Sequence, residues 1–199
     1  MVNFKIVTNN MKMARILIVN NAEPEIKEFA NSIENIVIEF GGHPIVIEYK
    51  DCMNFDFGTI AGVILTGSPQ GDDIIEHHQP YYQWVKTVEK PILGICAGHH
   101  IIGFMFGSEI IRGEEPESGD FVIEILKGDL IFNGFTTTFK VKQMHNDSIS
   151  LPAEFELLAT SPTCNNQLMK HSEKLIYTCQ FHPEYYNHKI IGNFIKLCQ

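Results

Sequence analysis

The first half of the chain alternates short, uninterrupted apolar runs with segments of helical periodicity. The runs lie at Arg15–Asn20, residues 44–49, Gly62–Leu65 and residues 91–95, and their lack of polar alternation is typical of strands buried on both faces. Between the first two runs, apolar residues recur at helical spacing as far as the pair Gly41-Gly42, a natural helix stop. This strand–helix alternation predicts a parallel sheet with helices on both faces.

The second half differs, because its strand candidates are joined by short connections that contain turn residues. These candidates suggest antiparallel additions to the parallel core, and they lie at residues 121–126, 137–144, 155–160 and 175–181. Helices are predicted at residues 79–89, from about residue 98, and at residues 187–198. The predicted fold class is therefore α/β, a mostly parallel open sheet flanked by helices, with an antiparallel extension. Since no repeat or linker interrupts the sequence, we predict one domain at residues 15–199 after an N-terminal extension at residues 1–14.

Charge and cysteine content exclude several classes of protein. The formal net charge of -9 argues against a nucleic-acid partner or an anionic membrane partner, because both repel a negative surface. The five cysteines are odd in number and contain no C-x-x-C spacing, which fits a reducing, cytoplasmic setting better than a disulfide framework. No apolar run has the length of a signal peptide or a membrane span.

A candidate nucleophile lies where the fourth predicted strand meets a predicted helix. The residues Gly94-Ile95-Cys96-Ala97-Gly98 fit the pattern G-x-nucleophile-x-G, in which a tight turn holds the nucleophile at the carboxyl end of the sheet. The positive end of the following helix would stabilise a Cys96 thiolate. The alternative is that Cys96 is a small buried apolar residue, as free cysteines often are.

A candidate base follows the last predicted strand. His182 lies at the strand end, and Glu184 is close enough in sequence to accept one imidazole N–H while the other ring nitrogen faces the nucleophile. Taken alone, a His-x-Glu sequence is better explained as a loop histidine beside a solvated acid. The two signals reinforce each other because both fall at strand ends of one predicted parallel sheet.

A third candidate element is the turn after the strand Gly62–Leu65. Its residues Gly67 and Ser68 could expose backbone N–H groups that, with the N–H of Ala97, would form an oxyanion hole. The alternative interpretation of this segment is an ordinary β-turn.

In combination, these motifs resemble the class I, triad-type glutamine amidotransferases. The resemblance is carried by residues 93–100 (LGICAGHH), residues 66–69 (TGSP) and residues 181–184 (FHPE), and it extends from about residue 15 to the C-terminus. It implies a flavodoxin-like sheet, a triad of Cys96, His182 and Glu184, and hydrolysis of a glutamine side-chain amide through a glutamyl thioester. No cofactor is implied, and the ammonia usually passes to a synthetase domain or subunit.

Residues 144–149 (MHNDSI) and the segment from residue 157 to Met169 look like the GMP synthetase branch of this family. The resemblance thereby implies substrate-binding roles for His145 and Asp147. Without it, residues 145–147 would be interpreted as a polar turn. The γ-glutamyl-peptide hydrolases of the same superfamily share much of the pattern.

Two positions depart from the family pattern. The family usually has Gln four residues after the nucleophile, where the side chain helps to hold the substrate, and here that residue is His100. A neutral imidazole offers one donor and one acceptor, so the preferred γ-glutamyl compound need not be free glutamine. Ser68 stands where a second Gly is common, but an oxyanion donor belongs to the backbone and Ser can supply it.

The sequence is compatible with three hypotheses about function. The first is a glutaminase subunit that feeds a separate synthetase, and the second is a stand-alone hydrolase of γ-glutamyl amides or peptides. The third is a non-catalytic regulatory module that kept the fold, although an intact triad argues against it. The nine histidines show no metal-ligand spacing, so we expect no metal site.

Overall fold

A large mixed sheet organises the protein. The computed structural model describes residues 13–70, 74–112 and 116–199. The strands are β1 (Arg15–Asn20), β2 (His43–Glu48), β3 (Gly62–Leu65), β4 (Ile92–Ile95), β5 (Ile110–Ile111), β6 (Glu117–Ile125), β7 (Thr138–His145), β8 (Ser148–Ile149), β9 (Phe155–Thr160), β10 (Leu168–His171) and β11 (Ile176–Cys179). The α-helices are α1 (Glu28–Glu39), α2 (Ile74–His78), α3 (Ala97–Met105) and α4 (His188–Leu197), and the 3-10 helices are Tyr49–Asn54, Phe57–Thr59, Gln79–Lys86 and Leu130–Phe132.

In the described part of the chain, nine strands form one sheet in the order β2-β1-β3-β4-β11-β10-β9-β6-β7, and β5 pairs separately with β8. The first five strands in this order are parallel to one another, whereas the remaining neighbours are antiparallel. The structure therefore confirms the predicted α/β class with an antiparallel extension. That residues 15–199 form a single domain stays a prediction.

The apolar runs of the first half are buried because helices cover both faces of the parallel strands. Along β1, Ile16 and Ile18 pack into the core beneath α1 and α4. The alternate residues Leu17 and Val19 pack on the opposite face, against α3 and against Tyr82 of the 3-10 helix Gln79–Lys86. A strand in this position has no solvent-facing side, which explains its continuous apolar sequence.

The structure corrects two details of the sequence prediction. Residues 79–89 do not form one α-helix, because α2 ends at His78 and a 3-10 helix follows whose Pro80 has no N–H to donate to the preceding turn. Strand β10 was not predicted. By reversing the chain direction between β9 and β11, β10 makes β11 parallel to β4 and so extends the parallel half of the sheet.

The predicted N-terminal extension lies outside the described residues except for Met13 and Ala14. None of the helices in the described part of the chain combines the length and the apolar character that a bilayer crossing requires.

Candidate active site

Cys96 occupies a sharp turn between β4 and α3. Its φ angle is 49°, and among the described residues it is the only non-glycine residue with positive φ. The glycines on either side allow the close approach: a Cβ on Gly94 would lie 2.6 Å from the Gly98 carbonyl oxygen, and a Cβ on Gly98 would lie 2.7 Å from the Leu65 carbonyl oxygen. The strained turn predicted from G-x-nucleophile-x-G is therefore present.

The turn places Cys96 at the N-terminus of α3, whose first residue is Ala97. The backbone N–H of Cys96 donates to the Cys179 carbonyl at 2.9 Å, so the end of β4 is fixed to the end of β11. The residue is only 8% exposed. Its side chain therefore lies at the positive end of the α3 dipole.

His182 lies beside Cys96 because β11 runs parallel to β4 and the two strands end at the same edge of the sheet. The N–H of His182 donates to the Lys142 carbonyl at 2.9 Å, which attaches this segment to β7. The Nδ1–H of the ring donates to Glu184 Oε1 at 2.7 Å, and both side chains are 2% exposed. The His182 side chain also hydrogen-bonds the side chain of Cys96.

The surroundings of His182 fix its position and its charge. Phe29 stacks on the imidazole at a centroid distance of 5.3 Å, and Tyr185 contacts it edge-on at 6.0 Å. Burial by itself would lower the pKa of His182, but the negative charges of Cys96 and Glu184 and the hydrogen bonds to them raise that pKa to about 10. The ring of His182 is therefore held in its protonated form near neutral pH.

The predicted oxyanion turn lies against the same pair of side chains. A Cβ added to Gly67 would lie 2.8 Å from His182 Cε1 and 3.7 Å from Cys96 Cβ. Ser68 and Ala97 both line a cavity of about 370 Å³ that opens over Cys96. The residues around this cavity come from both halves of the sheet, and they are Phe29, Ser68, Pro69, Cys96, Ala97, His100, Ser118, Met144, His145, Asn146 and His182.

His100 lines this cavity and also contacts the protein. Its Nε2–H donates to Gln180 Oε1 at 2.7 Å, and the amide Nε2 of Gln180 lies 4.0 Å from Cys96 Sγ. Burial lowers the pKa of His100 to about 4, so the ring is neutral near pH 7. Gln180 is not among the residues that the sequence predicts for the site, and the one local signal for it is its position two residues before His182.

His145 lines the cavity, whereas Asp147 lies behind it and forms an ion pair with Arg112 at 3.1 Å. The two ring nitrogens of His145 face acceptors, namely Glu117 Oε2 at 2.7 Å and the Asp147 carbonyl at 3.0 Å. His145 is thus held rigidly at the cavity wall by protein groups. Glu117, which is buried at the start of β6, is not among the residues that the sequence predicts for the site.

Glu117, His145 and Cys164 bring three possible metal-ligand atoms within 4.8 Å of one another. The Glu117 carboxylate, however, already accepts hydrogen bonds from His145, Ser161, Thr163 and Gln167. A carboxylate with four protein donors has its acceptor sites occupied. The donor set of this cluster therefore fits a structural hydrogen-bond network.

A second, larger cavity of about 540 Å³ lies near the start of β1 and the C-terminus. It is lined by residues such as Arg15, Thr59 and Cys198 and contains none of the predicted catalytic side chains. The smaller cavity is lined by Cys96 and His182, the predicted nucleophile and base, and it is therefore the candidate active site.

Known proteins resemble this chain along most of its length. A sequence profile described as "Glutamine amidotransferase class-I" matches residues 12–196. A subunit of the glutamine-hydrolyzing GMP synthase of Methanosphaera stadtmanae is 32% identical over 189 residues, which cover 92% of this chain and 98% of that protein. The protein of the same name from Methanothermobacter thermautotrophicus is 36% identical over 143 residues, 69% of this chain and 75% of that protein.

Solved structures show the same relationship. A Thermoplasma acidophilum protein provisionally assigned as a GMP synthase subunit superimposes with a TM-score of 0.84 at 29% identity, covering 94% of each chain. A glutamine amidotransferase from Thermotoga maritima, at 22% identity and a TM-score of 0.71, shares the fold over 86% of this chain and 76% of its own. By profile, sequence and fold, this chain belongs to the class I glutamine amidotransferase family.

Proposed function

We propose that this protein hydrolyses the side-chain amide of glutamine, or of a related γ-glutamyl compound, with Cys96, His182 and Glu184 as its catalytic triad. The observation that carries the proposal is the position of Cys96 at φ 49°, between a helix N-terminus and an imidazole held by a buried carboxylate. A strained, positive-φ nucleophile facing an oriented base is typical of acyl-transfer enzymes.

The reaction proceeds in two halves. The Cys96 thiolate adds to the γ-carbonyl carbon, and the N–H groups of Ala97 and the Gly67–Ser68 turn stabilise the oxyanion that forms. The imidazolium of His182 then donates its proton to the leaving nitrogen, so ammonia departs and a glutamyl thioester remains. Neutral His182 next takes a proton from water, the resulting hydroxide attacks the thioester, and glutamate leaves with Cys96 restored as thiolate.

Glu184 contributes by orientation and charge. Its hydrogen bond to Nδ1–H leaves the other ring nitrogen of His182 for proton transfer at Cys96. His100 and His145 line the cavity and would contact the γ-glutamyl compound, whereas Asp147 supports His145 through its backbone carbonyl. His100 also orients Gln180, whose amide N–H faces the sulfur.

The ammonia is proposed to pass to a separate synthetase subunit. Relatives that span almost the whole chain are named as one subunit of a glutamine-hydrolyzing GMP synthase, and such a name implies that the enzyme has a second subunit. A GMP-forming synthetase is therefore the proposed acceptor of the ammonia. The five free cysteines fit the proposed reducing, cytoplasmic setting.

A stand-alone γ-glutamyl amide or peptide hydrolase is the second candidate. The observation that favours it is His100, because its Nε2–H is already donated to Gln180 and cannot hold a substrate in the way a carboxamide could. This hypothesis predicts turnover that needs no partner and tolerates groups larger than the amide nitrogen.

The test is glutamate release by the pure protein from L-glutamine and from γ-glutamyl peptides and γ-glutamyl p-nitroanilide. We expect turnover of at least one of these compounds and none by Cys96→Ala. His100→Gln is assayed in parallel, and a strong rise in its glutaminase activity would favour the second candidate. If the wild-type protein releases no glutamate and no thioester forms on Cys96, the proposed function is wrong.

A further inference from the structure

Thr66 uses its side chain and its backbone carbonyl to bind three segments behind the oxyanion turn, at Asn21, Gly67 and Gly98. Its Oγ1 accepts the backbone N–H of Asn21 at 3.0 Å and donates to the Gly67 carbonyl at 2.8 Å. The Thr66 carbonyl accepts Asn21 Nδ2–H at 2.6 Å and the Gly98 N–H at 3.2 Å. Both Thr66 and Asn21 are fully buried, so water cannot replace these bonds.

The bond to the Gly67 carbonyl decides which way the next amide points. The oxygen of Gly67 and the N–H of Ser68 belong to one trans peptide unit, in which they point in opposite directions. Thr66 is fully buried, whereas Ser68 lines the cavity over Cys96. An oxygen turned inward to the Thr66 hydroxyl therefore turns the Ser68 N–H outward to the cavity.

From this geometry we propose that the Thr66 hydroxyl, held by Asn21, is a positioning group that directs the Ser68 N–H into the oxyanion hole opposite the N–H of Ala97. The inference rests on the proposed function, and it assigns the donor of the upstream turn to Ser68. Neither Thr66 nor Asn21 lines the cavity, so both act through the backbone of the turn.

The orientation of Asn21 is itself fixed from the other side. The hydroxyl of Tyr82 donates to Asn21 Oδ1, and His78 Nε2–H donates to the Asn21 carbonyl at 2.9 Å. Burial raises the pKa of Tyr82 well above its usual range, so this hydroxyl remains a donor at neutral pH. With Oδ1 engaged, the amide N–H of Asn21 is left to face the Thr66 carbonyl.

Two reactions of the Cys96 sulfur differ in whether they form an oxyanion. Addition of the thiolate to a γ-carbonyl creates an oxyanion, whose stability depends on the Ser68 N–H. Alkylation by iodoacetamide forms a C–S bond as iodide leaves, and no oxyanion develops. Misdirecting the Ser68 N–H should therefore slow amide hydrolysis and leave the alkylation rate of Cys96 unchanged.

The test compares Thr66→Val, which keeps the shape but removes the hydroxyl, with Thr66→Ser, which keeps the hydroxyl. We expect kcat of Thr66→Val to fall about 10- to 100-fold, because one oxyanion donor is misplaced. Its KM and its rate of Cys96 alkylation by iodoacetamide should stay near the wild-type values, and Thr66→Ser should retain most of kcat. If Thr66→Val does not fold, Thr66→Ala and Thr66→Ser form a second pair that differs by the hydroxyl alone.

Three results would overturn the inference: an unchanged kcat in the hydroxyl-free variant, an equal loss of kcat and alkylation rate, or an equal loss in Thr66→Ser. Failure of the proposed function is distinguishable from these, because the wild-type protein itself would then hydrolyse no γ-glutamyl compound. In that case both the proposed function and the positioning role of Thr66 are wrong.

Discussion

At the residue scale, the charge of His182 depends on the two acidic side chains beside it, those of Cys96 and Glu184. Its pKa of about 10 reflects attraction by Cys96 and Glu184 that outweighs burial, which alone would lower it. In the proposed mechanism the imidazolium protonates the leaving nitrogen, so the rate should fall as pH rises through the pKa of His182. The alkaline limb of kcat/KM is therefore expected well above the usual range of a histidine.

Substituting Glu184→Gln should move that limb to lower pH, because one negative charge beside His182 is lost. We also expect kcat to fall on the order of 100-fold, since the orientation of the imidazole is lost with the carboxylate. Glu28→Gln is the matched control: Glu28 lines the same small cavity as Glu184, but its side chain is exposed. An unshifted limb in Glu184→Gln would contradict the role given to this carboxylate.

Gly67 gives a second test at this scale. A methyl group at this position would meet the tip of the His182 ring at 2.8 Å, and a side chain can move away more easily than backbone can. We therefore expect Gly67→Ala to lower kcat at least 10-fold by displacing the base, with little loss of stability. Ser68→Ala should keep kcat, since only the backbone N–H of Ser68 is used. A wild-type kcat in Gly67→Ala would show that displacement of the His182 ring does not impair catalysis.

Sequence reasoning could locate residues whose partners are fixed by local geometry. Cys96 is identified by its flanking glycines, and Glu184 is only two residues from His182. Glu117 and Gln180 could not be identified in this way. Their partners, His145 and His100, lie 28 and 80 residues away, and such distant pairs meet only when the sheet assembles.

At the element scale, the turn from β4 into α3 depends on glycines that allow backbone to meet backbone. A Cβ at Gly98 would lie 2.7 Å from both Cβ and the carbonyl oxygen of Leu65, atoms that cannot move without shifting β3. We expect Gly98→Ala to lower the free energy of unfolding by about 1–3 kcal/mol, as overpacking does. Chemical denaturation measures this change.

The matched control for Gly98→Ala is Gly128→Ala, because a Cβ at Gly128 would have nothing within 4 Å. Its free energy of unfolding should change by no more than about 0.5 kcal/mol. Equal stability of the two variants would mean that α3 can move away from β3 at no cost.

The elements that were predicted well are those with a strong local pattern. Arg15–Asn20, Gly62–Leu65 and Phe155–Thr160 were placed with the bounds that the structure shows, because each combines β-branched or large apolar residues with clear flanking breaks. Strand β10 (Leu168–His171) was not predicted, because its four residues of mixed polarity show no recognisable hydrophobic periodicity. Its strand conformation comes from pairing with β9 and β11 on either side.

At the scale of the whole molecule, the cavity is built where the parallel and antiparallel halves of the sheet meet. Cys96 and His182 belong to the parallel half, whereas Ser118 and His145 come from β6 and β7. Glu117 joins the antiparallel strands to the loop at residues 161–167, because its buried carboxylate binds groups from both. The integrity of the far cavity wall should therefore depend on this one carboxylate.

Because Glu117 is ionisable, its contribution to stability should change with pH. Burial alone would raise the pKa of Glu117, but hydrogen bonds from His145, Thr163 and Gln167 outweigh it and hold the pKa below its usual value. A lowered folded-state pKa stabilises the protein fully above the unfolded pKa of about 4.3, and that stabilisation is lost as pH falls through the lower, folded-state value. The contribution should thus be greatest near neutral pH.

We expect Glu117→Gln to lower the free energy of unfolding by about 2 kcal/mol at pH 7, because the buried network loses the charge-assisted hydrogen bonds that its carboxylate accepts. The difference from wild type should shrink as the pH is lowered below about 4, where the wild-type carboxylate also becomes neutral. Glu124→Gln, at an exposed position of the same strand, should change stability by no more than about 0.5 kcal/mol at either pH. A Glu117→Gln deficit that is equally large in acid would mean that shape at this position, and not charge, holds the antiparallel half in place.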